Sequence, residues 1–94
     1  MDSAPGQRAL TALDRALAHQ PERDGDAFSE ATEQLCQFRD AMIGDARAGE
    51  RRDDLGALNA IISGVLAGHF PLGKTPWPEV QSATDALRRL LQAG

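Results

Sequence analysis

The stretch whose residue types most resemble a chemical site is the octapeptide GHFPLGKT, Gly68 to Thr75. It matches the G-x-x-x-x-G-K-[ST] pattern of the P-loop, in which backbone N–H groups surround a phosphate between a buried strand and a helix. The flanking sequence argues against that chemistry. The preceding segment has helical periodicity, and Pro71, Pro76 and Pro78 each remove a backbone N–H. We therefore expect a connector between two helices, and nucleotide binding by residues 68–75 is the least favoured function.

The other side chains with chemical potential are isolated from one another. A catalytic base would need a nearby nucleophile or an orienting carboxylate, and His69 has neither within a helical turn. Cys36 is the single cysteine, and with His19 and His69 it makes no zinc-binding spacing. An enzyme that uses His69, Lys74 or the 68–75 loop is the weakest of three functional hypotheses. The sequence predicts a non-enzymatic protein with no catalytic residue, no metal site and no cofactor.

Composition and charge narrow the class of protein. Residues 1–94 are predicted to form one domain, with 10 basic and 14 acidic residues, a net charge of -4 and a pI near 5.0. Without a basic face, nucleic-acid binding is not expected. The first ten residues lack the apolar region of a signal peptide, so we predict a cytoplasmic protein. Nine of the ten basic residues are arginine, a usage typical of GC-rich bacterial genomes.

Four segments have helical periodicity, and none shows the alternation of a strand. They predict an all-α, antiparallel bundle with helices at about residues 5–20, 26–48, 53–68 and 77–92. A helical hairpin around Gly49 is predicted to join the second and third helices at the centre of the chain. One unbroken helix through both segments is the alternative.

The second helix, which we number α2 and predict at about residues 26–48, has the most regular apolar pattern, with apolar side chains spaced 3, 4, 3 and 4 residues apart. We call it the α2 seam: Phe28, Ala31, Leu35, Phe38 and Met42. This spacing is typical of coiled coils, and it would suit a two-fold partner. We therefore expect a homodimer, while the sequence leaves open whether the seam faces inward, a partner or solvent.

The third helix from Leu55 onward and the start of the connector after it carry no charge, since the nineteen residues from Leu55 to Gly73 include no Asp, Glu, Lys or Arg. That length approaches a membrane span. Asn59, Ser63 and several glycines make it a poor one, and we expect no membrane insertion. A helix that is apolar nearly all round is typical of the central, most buried helix of a domain. Its small residues at a spacing of four would let a neighbouring backbone come close.

The connector between the third and fourth helices places Phe70, Leu72 and Trp77 within eight residues. One interpretation is that these side chains seal the end of the bundle. The other is that they bind a partner, because tryptophan is enriched at binding hot spots and two prolines hold Trp77 rigidly.

The leading hypothesis is an interaction protein, such as an adaptor, a small chaperone or a regulatory subunit, that binds a protein partner or itself through a helical face. Its candidate partner-binding residues are Phe28, Leu35, Phe38, Met42, Phe70, Leu72 and Trp77. The alternative is a small-molecule-binding bundle. Its pocket would lie between the second, third and fourth helices, among Phe38, Met42, Leu58, Ile62 and Trp77.

Overall fold

The structure is a computed structural model that describes residues 4–45, 49 and 52–93. Its four helices are α1 (Ala4–Ala18), α2 (Gly25–Gly44), α3 (Arg52–His69) and α4 (Trp77–Ala93). The described part of the chain contains no strand, so the predicted all-α class and the four helices are confirmed.

The helices form a ring in which α1 packs on α2, α2 on α3, α3 on α4 and α4 on α1. Two glycines show that neighbours run antiparallel. A Cβ placed on Gly6, at the start of α1, would lie 2.7 Å from Leu91 near the end of α4. A Cβ on Gly68, at the end of α3, would lie 2.6 Å from both Phe28 and Val80, which are near the starts of α2 and α4. The bundle measures 41 × 20 × 19 Å.

The junction between α2 and α3 differs from the sequence prediction. Helix α2 ends at Gly44 rather than at residue 48, because Asp45 has an extended backbone with ψ of 136°. An extended residue cannot continue a helix, so the alternative of one unbroken helix is wrong. Residues 46–48, 50 and 51 of the predicted hairpin lie outside the described residues.

The α2 seam forms the centre of the core. Phe28, Leu35 and Met42 are completely buried, and Phe38 is nearly so. The residues packed around them come from all the other helices and include Leu13, Leu58, Ile61, Val65, Val80 and Leu87. The seam therefore faces inward, which answers the question that the sequence left open.

The expectation that α3 is the most buried helix is wrong. Its buried residues are Leu58, Ile61, Ile62, Val65 and Gly68, a narrower set than α2 buries. In a ring of four helices, every helix has an inward and an outward side. The outward side of α3 is exposed like the others, but it carries no Asp, Glu, Lys or Arg from Leu55 onward. None of the helices in the described residues is long and apolar enough to cross a bilayer.

Candidate interaction surface

An exposed and uncharged surface runs along the outside of α3 and into the connector after it. We call it the α3 face and define it by its exposed residues: Gly56, Asn59, Ala60, Ser63, Leu66, Phe70 and Leu72. Charged residues make up 26% of the chain, yet none occurs between Leu55 and Gly73. Solvent-facing helix positions normally carry charge, so this surface is unlike a simple solvated face.

Helical spacing keeps the members of the α3 face that lie within α3 on one side of that helix. Gly56, Ala60 and Ser63 are four and three residues apart, so they lie one above the other on a helix. Phe70 follows the end of α3, but its N–H still donates to the carbonyl of Leu66 at 2.8 Å. It therefore keeps the helical register. At 1.5 Å per residue, the 18 residues of α3 span about 27 Å.

The connector exposes two of the three large residues that the sequence singled out. Phe70 is 68% exposed, and Leu72, at 105%, is as exposed as in an open chain. Gly73 follows with a positive φ of 106°, a conformation that favours glycine and turns the chain away from Leu72. Trp77 is half-buried, and its ring lies 6.1 Å from that of Phe28. Trp77 thus helps to seal the bundle, whereas Phe70 and Leu72 do not.

The end of α3 next to Phe70 is supported by side chains from the core and from the α1–α2 connection. Arg23 donates hydrogen bonds from Nε to the carbonyl of Gly68 at 3.2 Å and from its terminal nitrogen to the carbonyl of His69. The same guanidinium lies over the ring of Phe28. The ring of His69 lies 6.4 Å from that of Phe28 and meets Phe70 edge-on, with centroids 4.1 Å apart. Phe70 therefore projects from a supported helix end.

The remaining partner-binding candidates of the sequence analysis lie elsewhere. Phe28, Leu35, Phe38 and Met42 belong to the core, so in the folded monomer they present no surface to a partner. Four residues of the expected small-molecule pocket, Phe38, Met42, Leu58 and Ile62, are members of the buried core cluster, and Trp77 packs against its margin.

A groove that the sequence analysis did not place lies between α3 and α4, beside the α3 face. It has a volume of about 580 Å³, and its lining is mostly small and apolar: Ala57, Ala60, Ile61, Gly64, Pro78, Glu79, Ser82, Ala83 and Ala86. Small side chains bring the two helices close, since a Cβ on Gly64 would lie 3.0 Å from that of Ala83. The row of small residues in α3 was the sequence signal for this approach.

The octapeptide 68–75 has none of the P-loop context in the described part of the chain. Gly68 lies inside α3, and its carbonyl already accepts the bond from Arg23. The segment joins helix to helix, whereas a P-loop follows a strand. The interpretation as a connector therefore fits the fold, and the nucleotide hypothesis receives no support from it.

The carboxylate of Asp24 takes part in local structure at the start of α2. Asp24 caps α2 by accepting a hydrogen bond from the N–H of Ala27 at 3.0 Å. Its carboxylate also lies 3.2 Å from Arg15 and 3.7 Å from His19, both on or next to α1. The backbone bond from Ala27 and, to a smaller extent, the two basic side chains lower the pKa of Asp24. No group of three His, Cys, Asp or Glu suited to a metal occurs among the described residues.

No family model, curated protein or solved structure matches this chain.

Proposed function

We propose that this chain is a non-enzymatic interaction protein that binds another protein chain through the α3 face. The observation that supports the proposal is the exposure of Leu66, Phe70 and Leu72 on a surface without charge. Exposed apolar patches mark interaction sites, and the cores of protein interfaces are depleted in charged residues and enriched in aromatic ones.

The architecture suits that role because folding and binding use different residues. The α2 seam supplies the core, so the α3 face is left for a partner without any rearrangement of the bundle. A rigid helix loses little conformational entropy on binding. Such a surface would serve an adaptor, a small chaperone or a regulatory subunit. A cytoplasmic setting belongs to the proposal, supported by the single cysteine, Cys36, which can form no disulfide within the chain.

Site-specific photo-crosslinking in the native host tests the proposal. A photoreactive residue at Ala60 places the probe on the α3 face, and the same residue at Ala41 places it on an exposed position of α2. Since both sites replace exposed alanines within helices, the two variants are matched in their effect on folding. We expect protein-sized adducts from position 60 and few from position 41.

Adducts of equal yield at both positions would contradict the proposal, as would their absence from both. The mass of the adduct also identifies the kind of partner. A mass twice the 10.1 kDa of one chain indicates self-association, and any other mass indicates a different protein.

The groove between α3 and α4 favours a second candidate function, the binding of a small apolar molecule. Its lining residues Ala57, Ala83 and Ala86 offer an apolar surface, with Glu79 as the charged group among the lining residues. Native mass spectrometry of the freshly purified protein tests this function. A retained ligand that is lost in an Ala83→Glu variant would support it, and a ligand-free wild-type protein would contradict it.

A further inference from the structure

The two ends of the α3 face differ in side-chain size, and the large residue at one end is complementary to the small residue at the other. Near the start of α3 the face carries Gly56, which has open space around it, and at the other end it carries the large ring of Phe70. Ser63 lies midway, seven residues from each. A partner helix that ran antiparallel, with its own Ser63 opposite this one, would place a phenylalanine over each glycine.

The two ends of α3 differ in their charged residues as well as in side-chain size. Asp53 and Asp54 lie in the first turn of α3, next to Arg52, and the exposed Lys74 follows the end of the helix. The guanidinium of Arg23 also lies at that end, on the last carbonyls of α3. An antiparallel pair of α3 helices would bring Asp53 and Asp54 of each chain near Lys74 and Arg23 of the other, with Arg52 as one like charge beside them. The two helix dipoles would then also oppose one another, which is favourable.

A second copy of this chain carries the pattern of size and charge that would suit the α3 face. Resting on the proposed function, we propose that a second copy of this chain covers the α3 face, with the two α3 helices antiparallel about Ser63. Each chain has a net charge of -4, so two copies repel one another over most of their surfaces. The uncharged α3 face is where they approach at the least electrostatic cost.

The antiparallel arrangement follows from the side chains that would meet. In a parallel pair Phe70 would meet Phe70, and the two Gly56 residues would leave a gap. In the antiparallel pair the ring of Phe70 fits against Gly56 and the neighbouring Asn59. The small side chains of Ala60 and Ser63 let the helix axes come close between these ends. The contact is isologous, as in most two-fold dimers.

Cysteine crosslinking of the purified full chain tests both the partner and its direction. In a Cys36→Ser background, Ser63→Cys places a thiol on the proposed two-fold axis, and Ser29→Cys places one at an exposed position of α2. At a chain concentration of about 10 μM under a mild oxidant, we expect Ser63→Cys to form a covalent dimer roughly a hundredfold faster than Ser29→Cys, because association raises the effective thiol concentration to the millimolar range.

A second pair of variants tests the register. Mixed Gly56→Cys and Phe70→Cys chains are expected to crosslink with each other and not with themselves. Equal rates for Ser63→Cys and Ser29→Cys would overturn self-association, and preferential crosslinking of Gly56→Cys with itself would overturn the antiparallel direction. If self-association fails while photo-crosslinking at Ala60 still captures another protein, the proposed function stands without this inference. If neither cysteine crosslinking nor photo-crosslinking gives an adduct, both the proposed function and the self-association are contradicted.

Discussion

The α2 seam and the α3 face share a helical spacing and have opposite environments. Phe28, Leu35 and Met42 repeat at intervals of seven and lie at the centre of the core. Gly56, Ser63 and Phe70 also repeat at intervals of seven, and all three are exposed. Spacing therefore shows which residues share a face, while the size of the side chains decides which face is worth burying. Large apolar side chains gain most from leaving water.

The same comparison shows that an uncharged helix need not be a buried one. Alanine, glycine and serine offer little apolar area, so a face made of them contributes little to folding when it is turned inward. It nevertheless lets another helix approach closely. The outward side of α3 combines this property with the exposed Phe70 and Leu72 at one end.

Truncation of one phenylalanine from each region should produce the largest difference. Phe28→Ala removes a completely buried ring and is expected to cost about 3–5 kcal/mol of the free energy of unfolding. Phe70→Ala, at a site that is 68% exposed, is expected to change it by less than about 1 kcal/mol in the dilute monomer. Urea unfolding at low chain concentration measures both. Similar losses in the two variants would contradict the division between core and face.

Two glycines of α3 give the next comparison within one helix. Gly68→Ala would place a Cβ 2.6 Å from Phe28 and Val80, and the overpacking is expected to cost about 1–3 kcal/mol. Gly56→Ala meets open space in the monomer and should stabilise it by about 0.5–1 kcal/mol through helix propensity. Thermal unfolding of the dilute proteins distinguishes them, and a loss of stability in Gly56→Ala would show that this site is not open.

The smallest expected effect is on the pH dependence of the melting temperature, through the N-cap residue of α2. The pKa of Asp24 is lowered in the fold below its ordinary 3.8, so its stabilisation is present above that value and is lost as the pH falls through the folded pKa. Asp24→Asn keeps a good N-cap but removes the charge, and Asp24→Ala removes both. We expect the melting temperature of Asp24→Asn to fall less than that of wild type between about pH 5 and about pH 2.

Asp26 serves as the control for this prediction. It lies in the first turn of α2 and is exposed, and the N–H of Ala27 bonds to Asp24 instead. Asp26→Asn removes one negative charge from the same turn and leaves the hydrogen bond from Ala27 to Asp24 in place, so it controls for the change of charge alone. Identical pH profiles for Asp24→Asn and wild type would show that the Asp24 carboxylate does not carry this sensitivity.

Sequence patterns predicted the four helices, because apolar periodicity is a local signal. They also indicated the connector residues Phe70 and Leu72. The direction in which each face points was not predictable, since it depends on how four helices share one core. For that reason the spacing of the α2 seam leaves open whether it faces the core or a partner, and the apolar character of α3 wrongly predicts the most buried helix. The groove beside Ala83 was missed because it needs residues of two helices.

The most direct test of association through the α3 face is the solution mass by light scattering over roughly a hundredfold range of chain concentration. Wild type is compared with Ala60→Glu on the α3 face and Ala41→Glu on α2, both exposed sites where glutamate is a good helix former. We predict a dimer for wild type and Ala41→Glu, and a monomer for Ala60→Glu. A monomeric wild type at every concentration, or an unchanged mass for Ala60→Glu, would contradict self-association through α3.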